Sequence, residues 1–301
     1  MISIIVPLYN KSSVVARTLA SISAQTYTDW EALIMDDAST DDSLQAARKW
    51  IQTSAHPEKF RLIALGKNGG VAGARNRGME EARGRYLAFL DADDIWLPQK
   101  LERTLSFLQE KEAAFVYTGY VFARENKIEE IGLPIREEAL EGLSRTHAVA
   151  ELDFKHALSR TIIFTSTVML DRTKIPKSLL QMPQMESEDT ATWWRILKSG
   201  ISAYGLDEVL ALYARPERHA SSLSSNKGKA ILRIWKLYGL RRWRGCPFRR
   251  PVALCAAGRF GRRCAESEGC RQGNPLPPGA WKQRKEGSLQ TGARTALEKP
   301  E

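Results

Sequence analysis

Phe89-Leu90-Asp91-Ala92-Asp93-Asp94-Ile95-Trp96 is the stretch on which the fold turns: an apolar run that stops abruptly in three carboxylates and then resumes. Carboxylates crowded in this way repel one another and stay together only where solvent, a cation or positive side chains compensate. A divalent cation is the economical compensation, and oxygen donors without nitrogen or sulfur suit Mg2+ or Mn2+ better than Zn2+. A calcium loop is excluded, because Ile95 and Trp96 stand where further oxygen ligands and a glycine would be needed. A cation held here would in turn neutralise a phosphate-bearing ligand.

Upstream, short apolar runs at residues 2–8, 31–35, 60–65 and 86–90 read as strands buried on both faces. Helical patterns at residues 12–25, 41–53 and 71–82 lie between them; Ser39 and Thr40 are N-cap candidates for the second, with Asp41 and Asp42 in its first turn. Such alternation predicts an α/β fold, a mixed and mostly parallel sheet flanked by crossover helices. In these sheets ligands sit outside the carboxyl ends of the strands. The four strands end at Pro7, Tyr9 and Asn10, at Asp36 and Asp37, at Asn68 and Gly69, and at Asp91 and Asp93, so polar groups gather on the predicted binding edge. Each alone fits an ordinary cap or turn; four strand ends together favour a site.

Downstream, residues 114–122 read as a strand, 148–158 as a helix, 165–170 and 203–213 as strands, and 187–198 as a helix stopped by Gly200. Residues 226–240 predict an amphipathic helix, with Ile231, Ile234, Trp235 and Tyr238 on one face and Lys229, Arg233 and Lys236 on the other. Docking on the domain is its simplest use; contact with an anionic membrane surface is the alternative.

Composition sets further bounds. A chain of 301 residues, 43% apolar, can bury one large core. The formal charge of +10 is concentrated at one end: residues 241–301 hold 14 Lys and Arg against 5 Asp and Glu, leaving 31 against 30 in residues 1–240. A neutral body without an aromatic-basic strand face argues against a nucleic-acid binder. Cys246, Cys255, Cys264 and Cys270 all lie in that basic, Gly- and Pro-rich segment, which reads as a disordered tail. The body therefore lacks a disulfide framework, and no apolar run approaches about 20 residues, so a cytoplasmic protein is expected, at most peripheral on the inner membrane face.

Five motifs stand in order: SIIVPLYN at residues 3–10, IMDDASTD at 34–41, NGGVAGARNRG at 68–78, FLDADD at 89–94 and SEDTATWWR at 187–195. Together they resemble the family 2 glycosyltransferases of the GT-A fold, inverting enzymes that build bacterial surface polysaccharides. RTIIFTSTVMLDR at 160–172 and SSNKGKAILRIWKLYG at 224–239 further resemble the branch of teichuronic acid and O-antigen sugar transferases. The resemblance spans residues 1 to about 238. It implies a GT-A domain over 1–240, with a nucleotide-sugar half at 1–110 and an acceptor half at 111–225.

The resemblance also implies roles. Pro7, Tyr9 and Asp37 would line the base and ribose pocket, Asp91 would hold ribose or sugar hydroxyls, and Asp93 would ligate the metal. Arg75 would touch the donor sugar or its phosphates. Glu188 and Asp189 match an acidic pair whose second member is the catalytic base, with Trp193 packed beneath the acceptor loop. In YARPERHASSLSS, residues 213–225, Arg215, His219 or Ser222 would clamp the diphosphate. The expected donor is a UDP-sugar and the acceptor a glycan or a polyprenyl-diphosphate-linked saccharide. The chemistry agrees: a leaving diphosphate calls for preorganised positive charge, and an attacking hydroxyl for a base. A non-catalytic sugar-binding subunit and a phosphatase with a DxD motif are the rival readings. The phosphatase lacks its N-terminal nucleophile and catalytic lysine.

Overall fold

The computed structural model describes residues 1–158 and 163–215. Strand β1 (Ile2–Leu8) leads to helix α1 (Val15–Ser23), β2 (Trp30–Asp36), α2 (Ser43–Thr53), β3 (Phe60–Ala64), α3 (Gly70–Glu81) and β4 (Tyr86–Phe89). The acidic loop and β5 (Ile95–Trp96) follow, then α4 (Lys100–Glu110), β6 (Phe115–Arg124), α5 (Glu125–Ile131), β7 (Ser144–Thr146), β8 (Glu151–Leu152) and α6 (Phe154–Ala157). The described chain ends with β9 (Met169–Asp171), α7 (Lys177–Leu180), α8 (Glu188–Lys198) and β10 (Ala203–Arg215).

One sheet takes the order β3-β2-β1-β4-β9-β6-β10-β5, with β7 on β6 and β8 on β10. The pairs β3/β2, β2/β1, β1/β4 and β6/β10 are parallel, whereas β9 enters antiparallel to both β4 and β6. The first four strands thus point their carboxyl ends to one edge, as the apolar runs predict.

Alternation along β1 explains the burial on both faces. Ile4, Val6 and Leu8 pack with Val15, Leu19 and Ile22 of α1 and Leu101 of α4, while Ile5 turns to the opposite core with Ala72 and Ala74 of α3 and Trp193 and Ile196 of α8. Close approach of α3 to the sheet requires Gly78, where an added Cβ would lie 2.7 Å from Cγ2 of Ile5. Trp193 and Trp194 are both core residues, 2% and 3% exposed; Trp193 stacks edge-on against Phe89. The expected packing of Trp193 beneath an acceptor loop therefore becomes packing within the apolar core.

Three local expectations need correction. Ser39 and Thr40 do not cap α2; their hydroxyls meet Asn10 across the loop, and the helix begins only at Ser43, whose amide donates to Asp41 at 2.9 Å. Residues 148–158 do not form one helix. Asp153 accepts the His156 amide at 2.7 Å, a capping contact that starts α6 at Phe154, and Glu151 and Leu152 pair instead with Tyr204 and Ala203. Residues 165–167 form a 3-10 turn, and β9 starts only at Met169, since the Thr167 hydroxyl donates to the Phe164 carbonyl and competes with ladder pairing.

The helix expected over 226–240, the tail from 241, and the membrane-surface contact read from them lie outside the described residues. So do His219 and Ser222. Among the described residues no helix is long and apolar enough to cross a membrane.

Candidate active site

The edge formed by β1, β2, β3 and β4 begins at β1. Tyr9 follows the strand with 44% of its surface exposed, an aromatic face free to receive a planar ligand, and Pro7 lies half-buried beside it. Asp37 follows β2; its amide donates to Leu8 O at 2.8 Å, and its Oδ1 accepts the Gly69 amide at 2.8 Å at the start of α3. Asn68 donates to the Asp37 carbonyl at 3.1 Å, closing the loops after β2 and β3 onto each other. Asn10 (φ 50°), Ala38 (φ 55°) and Ser187 (φ 60°) hold left-handed backbone, which is unfavourable for residues with a Cβ. All three flank this edge or the acidic pair. Strain of this kind gathers where surrounding structure fixes a functional geometry.

The acidic loop after β4 splits its three carboxylates among three environments. Asp91 Oδ1 receives Arg75 Nη2 at 2.5 Å. Asp93, about 29% exposed, takes Lys11 Nζ on Oδ2 at 2.6 Å. Asp94 is 1% exposed, with Oδ2 at 2.5 Å from the Ser166 hydroxyl and Oδ1 accepting the Ala214 amide at 3.2 Å. Burial first, then repulsion from Asp93 and Asp91, raises the Asp94 carboxyl well above the ordinary carboxylate range, against the opposing pull of these two hydrogen bonds. Lys11, Arg75 and burial therefore compensate this loop, the positive side chains that the crowding of its carboxylates calls for.

Arg75 is the connecting residue. It is 3% exposed, and its second terminal nitrogen donates to Oε1 of Glu188 at the start of α8. Burial disfavours its charge, but Asp91, Glu188 and Asp189 outweigh burial and raise its pKa. Each Nη thus donates to one carboxylate. Glu188 is raised by burial, pulled back by Arg75 and raised again by Asp189 and Asp91. Asp189, partly buried, accepts the Thr190 amide on Oδ1 at 2.6 Å and the Thr165 hydroxyl on Oδ2 at 2.8 Å. The acidic pair opens α8, where the helix dipole also favours negative charge.

Arg215 is the last residue of β10, paired with Arg124 of β6. Sequence reasoning missed Thr165, Ser166 and Lys100. The hydroxyls of the first two read as ordinary strand positions, and a lysine reads as surface.

As a metal site the described residues are sparse. No group of three or more His, Cys, Asp or Glu among them is arranged to hold an ion. Asp93 and Asp91 are the partly exposed carboxylates of the acidic loop, 29% and 27%, the first paired with the partly exposed Lys11 and the second with the buried Arg75. That donor set fits a magnesium-like ion, which is commonly held by one or two carboxylates plus substrate phosphates, and not a preformed protein cage.

The family model for glycosyl transferase family 2 matches residues 3–161. The putative teichuronic acid biosynthesis glycosyltransferase TuaG of Bacillus subtilis is 37% identical over 239 residues, covering 79% of this chain and 87% of that protein. The UDP-Glc:α-D-GlcNAc-diphosphoundecaprenol β-1,3-glucosyltransferase WfgD of Escherichia coli is 31% identical over 240 residues, covering 79% and 85%. Among solved structures, S. aureus TarS 1–349 in complex with UDP-GlcNAc aligns with a TM-score of 0.60 at 18% identity, over 79% of this chain and 65% of that one. The mannosyltransferase PcManGT from Pyrobaculum calidifontis, in complex with GDP-Man and Mn2+, aligns with a TM-score of 0.59 at 19% identity, over 80% and 65%. At that identity the structures show a shared fold, the GT-A fold. With the family model spanning the strand-end edge and the acidic loop, and with TuaG alike over most of its length, this chain belongs to glycosyl transferase family 2 and is a transferase.

Proposed function

We propose that this chain moves a sugar from a UDP-sugar to a hydroxyl of a glycan or polyprenyl-diphosphate-linked saccharide during bacterial surface polysaccharide synthesis, with inversion at the anomeric carbon. The observation that carries this reading is the Arg75 bridge, which holds the acidic loop and the Glu188–Asp189 pair in one constellation. Positive charge for the leaving diphosphate and a separate base for the attacking hydroxyl are what a single displacement requires. The printed activities of WfgD, and of TuaG within teichuronic acid biosynthesis, support the substrate classes.

In this reading residues 1–110 bind the donor and 111–225 the acceptor. Tyr9 stacks on the base, with Pro7 and Asp37 beside it; Asp91, oriented by Arg75, accepts from ribose or sugar hydroxyls; the diphosphate-clamping role implied for Arg215, His219 or Ser222 belongs to the same reading. Asp93 would hold Mg2+ or Mn2+, which would supply charge neutralisation on the leaving group. Asp189 takes the proton of the attacking hydroxyl, with Glu188 fixed behind it by Arg75.

The test is release of UDP, or of another nucleoside diphosphate, from a panel of nucleotide sugars with Mn2+ or Mg2+ and a polyprenyl-diphosphate-linked sugar acceptor. Acceptor-dependent release with an inverted linkage is expected. Nucleotide binding without turnover would favour a binding subunit and overturn the proposal.

A further inference from the structure

The turn Thr165–Thr167 is polar, lies 0–1% exposed, and its three residues reach different parts of the site. Thr165 Oγ1 donates to Asp189 Oδ2 at 2.8 Å. Ser166 Oγ donates to Asp94 Oδ2 at 2.5 Å and accepts the Asp91 amide at 3.1 Å, while its carbonyl accepts Trp96 Nε1 at 2.7 Å. The Thr167 carbonyl accepts Lys100 Nζ at 2.9 Å. One turn of backbone thus has a hydrogen bond to the acidic pair, two to the acidic loop, and an anchor on α4.

We propose that this turn is a positioning element of the transferase site, in which Thr165 orients the carboxylate of Asp189 toward the acceptor and Ser166 fixes the acidic loop against it. This rests on Asp189 being the base, as proposed above. A hydroxyl is needed at 165, because Oδ1 of Asp189 is already committed to the Thr190 amide and only Oδ2 is left to be aimed. A carboxylate held at one oxygen can still rotate about its terminal torsion, whose wells are broad. The bond from Thr165 removes that freedom. Since Ser166 is the next residue, rotation of the base and drift of the acidic loop are restrained by the same few atoms. The Thr165 hydroxyl touches neither donor nor acceptor in this role; it acts through Asp189.

The experiment compares full-length Thr165→Val, Thr165→Ser and Asp189→Asn in steady-state turnover of UDP-glucose with Mn2+, or of the donor the panel above identifies. Thr165→Val keeps the shape and loses the donor group. Its kcat should fall by about 10- to 100-fold, the scale set by small misplacement of a reacting group, while KM for the donor stays within about twofold. Thr165→Ser should restore most of kcat, and Thr165→Val added to Asp189→Asn should cost nothing more. Wild-type kcat in Thr165→Val beside an inactive Asp189→Asn overturns this role and leaves the base in place. A loss that Ser does not rescue, or that adds fully to Asp189→Asn, reduces Thr165 to a packing residue. Normal turnover in Asp189→Asn removes the base and this inference with it.

Discussion

Arg75 and Glu188 stand 113 positions apart in sequence and meet as a buried ion pair, with the other terminal nitrogen of the same guanidinium on Asp91. One planar fork spans two carboxylates from two elements, which a lysine ammonium on a flexible stem cannot reproduce. Removing the cation leaves Glu188 buried and unpaired. Arg75→Met is therefore expected to destabilise the fold by about 3–5 kcal/mol, the scale of breaking a buried pair. Arg75→Lys should recover only part of this. Urea unfolding of Arg75→Met, Glu188→Gln and the double variant gives the answer: the double variant should be clearly more stable than the sum of the singles predicts, whereas strict additivity would show that the pair is not coupled.

Asp189→Asn separates a chemical role from a helical one. As a base, the residue contributes roughly 10²- to 10⁴-fold in rate. As a first-turn acid favoured by the helix dipole, it contributes about 0.3–1 kcal/mol of stability and nothing to turnover. The expected result is a kcat loss of the first size with UDP affinity, measured by calorimetry, within about twofold of wild type. Unchanged kcat with a slightly lower unfolding midpoint would leave only the dipole.

Asp93 gives a prediction about metal. Its Oδ2 is paired with Lys11, and the other carboxylates of its loop are committed to Arg75 or buried against Ser166 and Ala214. With no preformed group of three or more ligands among the described residues, an ion at Asp93 would be completed by donor phosphates, so binding of Mn2+ and of UDP should be mutually dependent. Asp93→Asn should abolish the effect of Mn2+ on UDP affinity and weaken binding by roughly tenfold or more, the size of one lost charge-assisted contact of about 1.5–3 kcal/mol. Calorimetry with and without chelator reads both. Tight Mn2+ binding without nucleotide would mean that a preformed cage exists.

The first four strands and their helices are legible because parallel strands covered on both faces must be written as apolar runs, and Ile2–Leu8 and Trp30–Asp36 are. The strand-end acids are legible for the same reason, since topology sends four carboxyl ends to one edge. Helix Lys100–Glu110 carries a signal in Leu101, Leu105 and Leu108, but it opens on a lysine that is wholly buried, and hydropathy reads lysine as solvent-facing. What no local pattern encodes is pairing over distance. Arg75 looks like a helix-surface cation until Glu188 is brought to it, and Thr165 looks like a strand residue until Asp189 accepts its hydroxyl. The sharing of three aspartates among a lysine, an arginine and the interior is likewise set by elements far away in the chain.

Lys100 gives the last prediction, because its burial has a consequence for stability against pH. The ammonium lies over the Trp96 ring at 5.6 Å and donates to Thr104 Oγ1 at 3.0 Å and to the Thr167 carbonyl, with no carboxylate among its hydrogen-bond partners. Burial alone brings its pKa down from 10.5 to about 7. The folded protein then binds fewer protons at this site than the unfolded chain between about pH 7 and pH 10.5. Stability from this group therefore rises with pH across that window, by at most about 1.4 kcal/mol per unit, and the cost of the buried charge is fully present below it. Lys100→Met removes the titration together with two hydrogen bonds, so the slope of its stability against pH, and not its absolute level, is the discriminating quantity. Urea unfolding at pH 7, 8, 9 and 10 should show wild-type stability climbing more steeply than that of Lys100→Met, other titrating groups being common to both. Parallel curves would mean that Lys100 keeps an ordinary pKa in its buried position.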